Sequence, residues 1–214
     1  MTDSLVIFLH GVGSGGADLA PLGRRWAEIL PQTSFAAPDG SFPFDQGGSG
    51  RQWFSVSGVT AANRGERIVA ARPALDAVLA GLIADHGLSD RLDRVALVGF
   101  SQGAIMALDV VVSGRLRIGA VVGFAGRLAS PQPWSSSATP VLLVHGSDDA
   151  MIPAVEGEAA ATALGQAGVP VQWQLIPQGR HEIPPAGAAA AGEFLARQFN
   201  ARTAGAVALP REEQ

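Results

Sequence analysis

"VALVGFSQGAIMALDVV", residues 95–111, is the stretch that decides the fold. An apolar run, Val95–Phe100, leads into Gly99-Phe100-Ser101-Gln102-Gly103 and then into a helical pattern over Gln102–Val112. The G-x-S-x-G pattern carries little by itself in a chain with 27 glycines. Its placement carries more. A nucleophile elbow is a sharp strand-to-helix turn, and small residues on either side of the serine relieve the crowding the turn creates. The plainer alternative is a glycine-flanked serine that caps a helix.

On either side of this unit, short apolar runs alternate with longer helical patterns. Leu5–Leu9, Ser34–Ala37, Ala120–Phe124, Val141–Val144 and Val171–Ile176 read as further strands; Asp18–Leu30, Ala74–Ala84, Val155–Gln166 and Pro185–Phe199 read as further helices. The strands are mostly continuous in apolar residues, as expected when helices cover both faces of a sheet. This alternation predicts a doubly wound, mostly parallel α/β sheet with right-handed crossovers. Pro73 fits either a first helical turn or a kink. Pro38 to Gly65 reads as one long irregular loop, and its "FPFDQGGSGRQWF" is too apolar for a plain linker. A second, smaller loop is "PQPWSSSATP", residues 131–140. Neither an internal repeat nor a domain boundary is visible, so 1–214 is expected to be one domain.

Composition narrows the function. Of 214 residues, 47% are hydrophobic and 16% charged, and the net charge of −4 suggests no nucleic-acid partner. No apolar run is long enough for stable membrane insertion, and the first residues do not read as a secretory signal, so the cytoplasm is the expected compartment. The chain has no cysteine and no H-E-x-x-H pair; neither a metal site nor a cofactor is expected.

A serine hydroxyl is a poor nucleophile until a base takes its proton. The chain has four histidines: His10, His86, His145 and His181. On sheets built around such an elbow the order is serine, acid, histidine, with the last two on loops at the carboxyl ends of later strands. Only His145 and His181 follow Ser101, and His145 leaves no aspartate between it and a late strand. His181, in "PQGRHEIPP", lies between the last strand and the last helix, where the base belongs. His86 reads as a solvated helix end, and His10 and His145, each in an "HG" pair at a strand end, as partners of nearby backbone. For the acid, Asp109 lies on the helix behind the serine and points the wrong way, which leaves Asp148 and Asp149 after "VLLVHG". Position alone does not choose between them.

The segments "FLHGVG", "GRQWF", "GFSQGA", "LLVHGSDDAMIP" and "GRHEIPP" resemble, in order and from about Ile7 to Phe199, the carboxylesterase/phospholipase family of small α/β-hydrolases, which includes the acyl-protein thioesterases. The family carries its aspartate in H-G-x-x-D-x-x-x-P. Aligned on His145, Gly146 and Pro153, the resemblance implies Asp149 as the acid beside Ser101 and His181. It also implies an oxyanion hole from the backbone N–H groups of Val12 and Gln102, although leucine often stands where this chain has Val12. Longer members have strands before L-H-G; here that strand begins at residue 5. An α/β-hydrolase sheet of about six or seven strands is therefore expected, trimmed toward six parallel ones without an antiparallel edge.

"LHGVGSGGADLAPL", residues 9–22, contains Gly11, Gly13 and Gly16 in G-x-G-x-x-G spacing, which also fits a dinucleotide-binding loop with Asp39 as the ribose acid. That reading would leave the ordered Ser101, Asp149 and His181 as coincidence; as part of a hydrolase, the loop turns the Val12 N–H toward the oxyanion. The expected function is hydrolysis of short-to-medium acyl esters through an acyl-enzyme, with a lysophospholipase or acyl-protein thioesterase as the alternative. A serine peptidase and a non-catalytic binding protein of the same fold are the more distant readings. The expected partner is a small-molecule ester, with the chain a monomer or homodimer. Phe42, Phe44, Trp53, Phe54, Met151, Ile152 and Ile183 fall on loops at the catalytic edge and are expected to line an acyl groove, against the alternative that they pack the loop onto the core.

Overall fold

A computed structural model describes residues 3–207. The first two residues and the last seven, part of the expected domain over 1–214, lie outside the described residues. Six parallel strands form one sheet: β1 (Ser4–Leu9), β2 (Thr33–Ala36), β5 (Val95–Phe100), β6 (Ala120–Phe124), β7 (Val141–Gly146) and β8 (Val171–Ile176), in the order β2-β1-β5-β6-β7-β8. Continuous apolar sequence makes a strand that is buried on both faces, and β1, "SLVIFL", is buried along its whole length.

The period of two in a strand divides that core. Leu5, Ile7, Leu9, Val95 and Leu97 face one side, with α2 (Arg64–Asp85), α3 (Gln102–Ser113) and α4 (Ala154–Gln166). Val6, Phe8, Ala96 and Val98 face the other, with α1 (Ala20–Trp26) and α5 (Pro185–Val207). The central helix, α3, is buried from Gln102 to Val112, and its one carboxylate there, Asp109, accepts hydrogen bonds from Arg72 (2.8 and 2.9 Å) and Arg115 (2.6 Å). Burial pushes the Asp109 carboxyl up, but the two guanidiniums hold it below its ordinary value.

Three elements differ from the sequence expectation. The helix expected from Ala74 begins at Arg64 and runs through Pro73. Its buried stripe Ile68, Ala71, Leu75, Leu79 and Ile83 recurs at helical spacing, while Val69 and Pro73 face outward, where water can satisfy the carbonyl that proline leaves unpaired. The helix expected over Asp18–Leu30 is shorter: a 3-10 turn over Gly16–Asp18 precedes α1, and turns carry the chain from Trp26 to Leu30 ahead of Pro31. Finally, the long loop contains a small antiparallel pair, β3 (Phe42–Pro43) with β4 (Arg51–Gln52). Among the described residues no helix is long and apolar enough to cross a membrane.

Candidate active site

Leu9 pairs with Gly99, so the loops that leave β1 and β5 emerge side by side at the carboxyl edge of the sheet. Ser101 sits at the tip of the second loop with φ 52° and ψ −113°, its amide donating to the Phe124 carbonyl at 2.9 Å. The turn is tight enough that a Cβ on Gly103 would overlap the Leu9 carbonyl oxygen, and one on Gly99 would meet the Gly103 backbone. Only glycine fits at either position.

The loops after β7 and β8 bring the remaining groups. His181 Nε2 lies 3.0 Å from Ser101 Oγ, and His181 Nδ1 lies 2.8 Å from Asp149 Oδ2. With the Nδ1 proton donated to the carboxylate, Nε2 is left as an acceptor for the serine hydroxyl. Asp149 also accepts from the Met151 and Ile152 amides at 2.8 and 2.9 Å. Burial pushes its carboxyl up, and the hydrogen bonds from His181, Ile152 and Met151 outweigh that and hold it below its ordinary value. Asp148 is exposed and accepts from the Ser147 hydroxyl at 2.7 Å instead. A hydroxyl, an imidazole and an ionised carboxylate thus stand in one hydrogen-bonded row.

The Gln102 amide is the first of α3 and has no acceptor within the helix. Among the described residues the Val12 amide has no hydrogen-bond acceptor either. The loop carrying Val12 is held from outside by β4: Gly13 donates to the Arg51 carbonyl at 2.9 Å, and Arg51 donates to Ser14 at 2.8 Å. The Gly16 amide, which a dinucleotide site would turn toward a pyrophosphate, donates to Asp39 Oδ1 at 2.8 Å. Two of the four residues of the nucleotide alternative, Gly16 and Asp39, are thus bonded to each other.

The other histidines behave as backbone partners, with one addition. His10 accepts from the Gly40 amide at 2.7 Å and donates from Nδ1 to the Gly11 carbonyl at 2.7 Å, while His86 Nδ1 pairs with the Leu82 carbonyl at 2.7 Å. His145 Nε2 lies 2.7 Å from the Ile152 carbonyl and also 3.1 Å from Asp149 Oδ2. The contact with the acid has no signal in the sequence.

A cleft of about 400 Å³ opens over Ser101 and His181. Of the seven residues expected to line an acyl groove, Phe54, Met151 and Ile152 border this cleft. The others lie elsewhere. Phe42 lines a neighbouring groove of about 420 Å³ that shares Phe54. Phe44 lies against Gly13, and Ile183 packs on the α1 and α5 side of the core. Trp53 is buried, its indole N–H donating to the His10 carbonyl at 2.9 Å. The Gln102 side chain bonds the Trp53 amide and the Phe54 carbonyl, both at 2.8 Å, so this aromatic pair clamps the long loop onto the elbow.

The cleft also contains Val56, Val59, Arg64, Ile105 and Arg127, which sequence reasoning did not single out. Ile105 was within reach of it, being four residues after Ser101 and so on the same helical face. Arg64 was hidden by the late start expected for its helix. Among the described residues no group of three or more His, Asp or Glu side chains is arranged to hold a metal ion.

Comparison with known proteins agrees with this architecture. The profile of the phospholipase/carboxylesterase family matches residues 2–198. Esterase YpfH of Escherichia coli is 33% identical over 179 residues, 84% of this chain and 76% of that protein. Carboxylesterase SOBER1 of Arabidopsis thaliana is 26% identical over 86% of this chain and 85% of its own length. The crystal structure of esterase PE8 superposes with a TM-score of 0.83 at 34% identity, over 92% of this chain and 93% of that one.

Proposed function

The chain belongs to the phospholipase/carboxylesterase family of α/β-hydrolases, and on that premise we propose that it is a serine esterase acting on short-to-medium acyl esters, with Ser101, His181 and Asp149 as its catalytic triad. The observation that carries the reading is the row of two hydrogen bonds from Ser101 Oγ through the His181 ring to Asp149. His181 takes the Ser101 proton as Oγ bonds to the ester carbonyl carbon, and the carbonyl oxygen becomes an oxyanion. The Val12 and Gln102 amides donate to that oxyanion; one such donor is typically worth about 10²–10³ in rate. The carbon–oxygen bond to the alcohol then breaks, and His181 gives the leaving oxygen its proton. Water repeats the sequence on the acyl-enzyme, releasing the acid and restoring the serine. Asp149, kept ionised by its hydrogen bonds, orients the imidazole and stabilises the imidazolium.

The apolar part of the cleft, from Phe54, Val56, Val59, Ile105, Met151 and Ile152, favours an acyl chain, and about 400 Å³ lies toward the small end of ligand pockets. Ser101→Ala and His181→Ala are each expected to lower kcat on p-nitrophenyl butyrate by at least about a thousandfold with little change in thermal stability. His86→Ala, at the far end of α2, should keep wild-type turnover. Near-wild-type activity in Ser101→Ala, or equal losses in the two histidine variants, would refute the assignment.

A further inference from the structure

Two arginines line the cleft over Ser101, and none of its described lining residues is an aspartate or glutamate. In a chain of net charge −4 this is a local reversal of sign. Arg64 is the first residue of α2. Arg127 follows Gly126, where an added Cβ would lie 3.6 Å from the Ser101 carbonyl oxygen, so Arg127 leaves the sheet next to the elbow.

The compensation these charges receive is small. Arg127 Nη1 reaches Glu156 Oε1 at 3.3 Å, and that carboxylate is 42% exposed. Among the described residues no carboxylate lies within salt-bridge distance of the Arg64 guanidinium. Burial and the like charge of Arg127 lower the Arg64 pKa, with Glu156 acting the other way. A guanidinium nevertheless stays protonated at any working pH. The cleft therefore holds two like charges, one of them paired with the exposed Glu156, beside apolar walls. Such a pair is destabilising when empty and relieved by an anion, which guanidinium forks bind with paired, charge-assisted hydrogen bonds.

Resting on the serine-esterase reading, we infer that Arg64 and Arg127 form an anion-recognition subsite, and that the preferred substrate is an ester carrying a carboxylate or phosphate group close to its scissile carbonyl. The apolar wall takes the hydrocarbon of that substrate and the arginines its charge.

The test compares matched esters. Mono-4-nitrophenyl glutarate against 4-nitrophenyl valerate places a carboxylate on the acyl side; 1-butyrylglycerol 3-phosphate against 1-butyrylglycerol places a phosphate on the alcohol side. In wild type the charged member of at least one pair should have a kcat/KM about ten- to a hundredfold higher, the range of a charge-assisted hydrogen bond. In Arg64→Gln/Arg127→Gln that ratio should fall to about one, whatever the absolute rates. Arg64→Lys/Arg127→Lys should keep part of it, and added salt should reduce it. Equal turnover of both members by wild type, or a preference that survives the double glutamine variant, would overturn the subsite. If no ester of either kind is turned over, the esterase reading fails instead. The subsite is then read by calorimetry of glutarate monomethyl ester and glycerol 3-phosphate binding to Ser101→Ala. A tenfold or greater loss of affinity on adding the two glutamines supports it; equal or undetectable binding with and without the arginines rejects it.

Discussion

Ser101 adopts φ 52°, a conformation that costs a non-glycine residue roughly 1–3 kcal/mol and persists only when its surroundings impose it. What imposes it is the backbone packing around Gly99 and Gly103. This part of the site was legible, because a glycine-serine-glycine turn between an apolar strand and an apolar helix has few other uses. Gly103→Ala tests the tightness of the turn. Its Cβ would strike the Leu9 carbonyl, which is fixed in β1, so the expected cost is about 1–3 kcal/mol or more in stability together with at least tenfold in kcat. A variant with the wild-type melting temperature and rate would mean that the elbow has slack. The contact between His145 and Asp149 was not legible, since an HG pair at a strand end shows neither where its ring turns nor which loop folds back over it.

The long stretch after β2 shows best what an irregular sequence conceals. Its aromatic residues marked it as too apolar for a plain linker. They did not announce that Arg51 pairs with the glycine loop after β1, or that Trp53 and Phe54 bond to the Gln102 side chain, because those partners are remote in sequence. Nor did Asp45 stand out as the residue that ties the segment together. Its carboxylate accepts from Gln52 at 2.7 Å, from the Ser55 hydroxyl and Val56 amide at 2.8 Å, and from the Ser57 amide at 3.0 Å. These bonds hold its pKa at about 2, Gln52 contributing most. A carboxyl depressed in the folded state stabilises it fully above the unfolded value, near 4, and loses that contribution as pH falls toward 2. Asp45→Asn should therefore melt below wild type at pH 7, and the gap between the two melting temperatures should narrow as the pH is lowered from about 4 toward 2. A gap independent of pH would show that the charge of Asp45 is not what holds the loop. The start of α2 is hidden in the sequence for a related reason: proline in a helix is costly in general, but at position 73 it faces water.

Across the whole molecule, the alternation of continuous apolar runs with helical patterns was enough to foresee a parallel sheet covered on both faces, because that pattern leaves no solvated strand face. The buried charge cluster was less visible; Asp109 reads in sequence only as an acid on the helix behind the serine, pointing away from it. It joins α3 to Arg72 of α2 and to Arg115, whose side chains are 26% and 16% exposed. Asp109→Ala leaves the partly buried Arg72 guanidinium without its carboxylate, while Arg115 keeps Asp76 at 2.8 Å, at an expected cost of about 2–4 kcal/mol, or roughly 5–15 °C in melting temperature. The chain is proposed to be one domain, so that loss should appear as a shift of a single cooperative calorimetric transition; a separate early transition, with the remainder unmoved, would contradict it. The most direct test of the central claim, that the fold delivers an activated Ser101 to His181, is peptide mapping after reaction with a fluorophosphonate. The wild-type protein should gain one phosphonyl adduct, mapped to Ser101 and absent from Ser101→Ala. An adduct on another residue, or labelling undiminished in Ser101→Ala, would contradict the account.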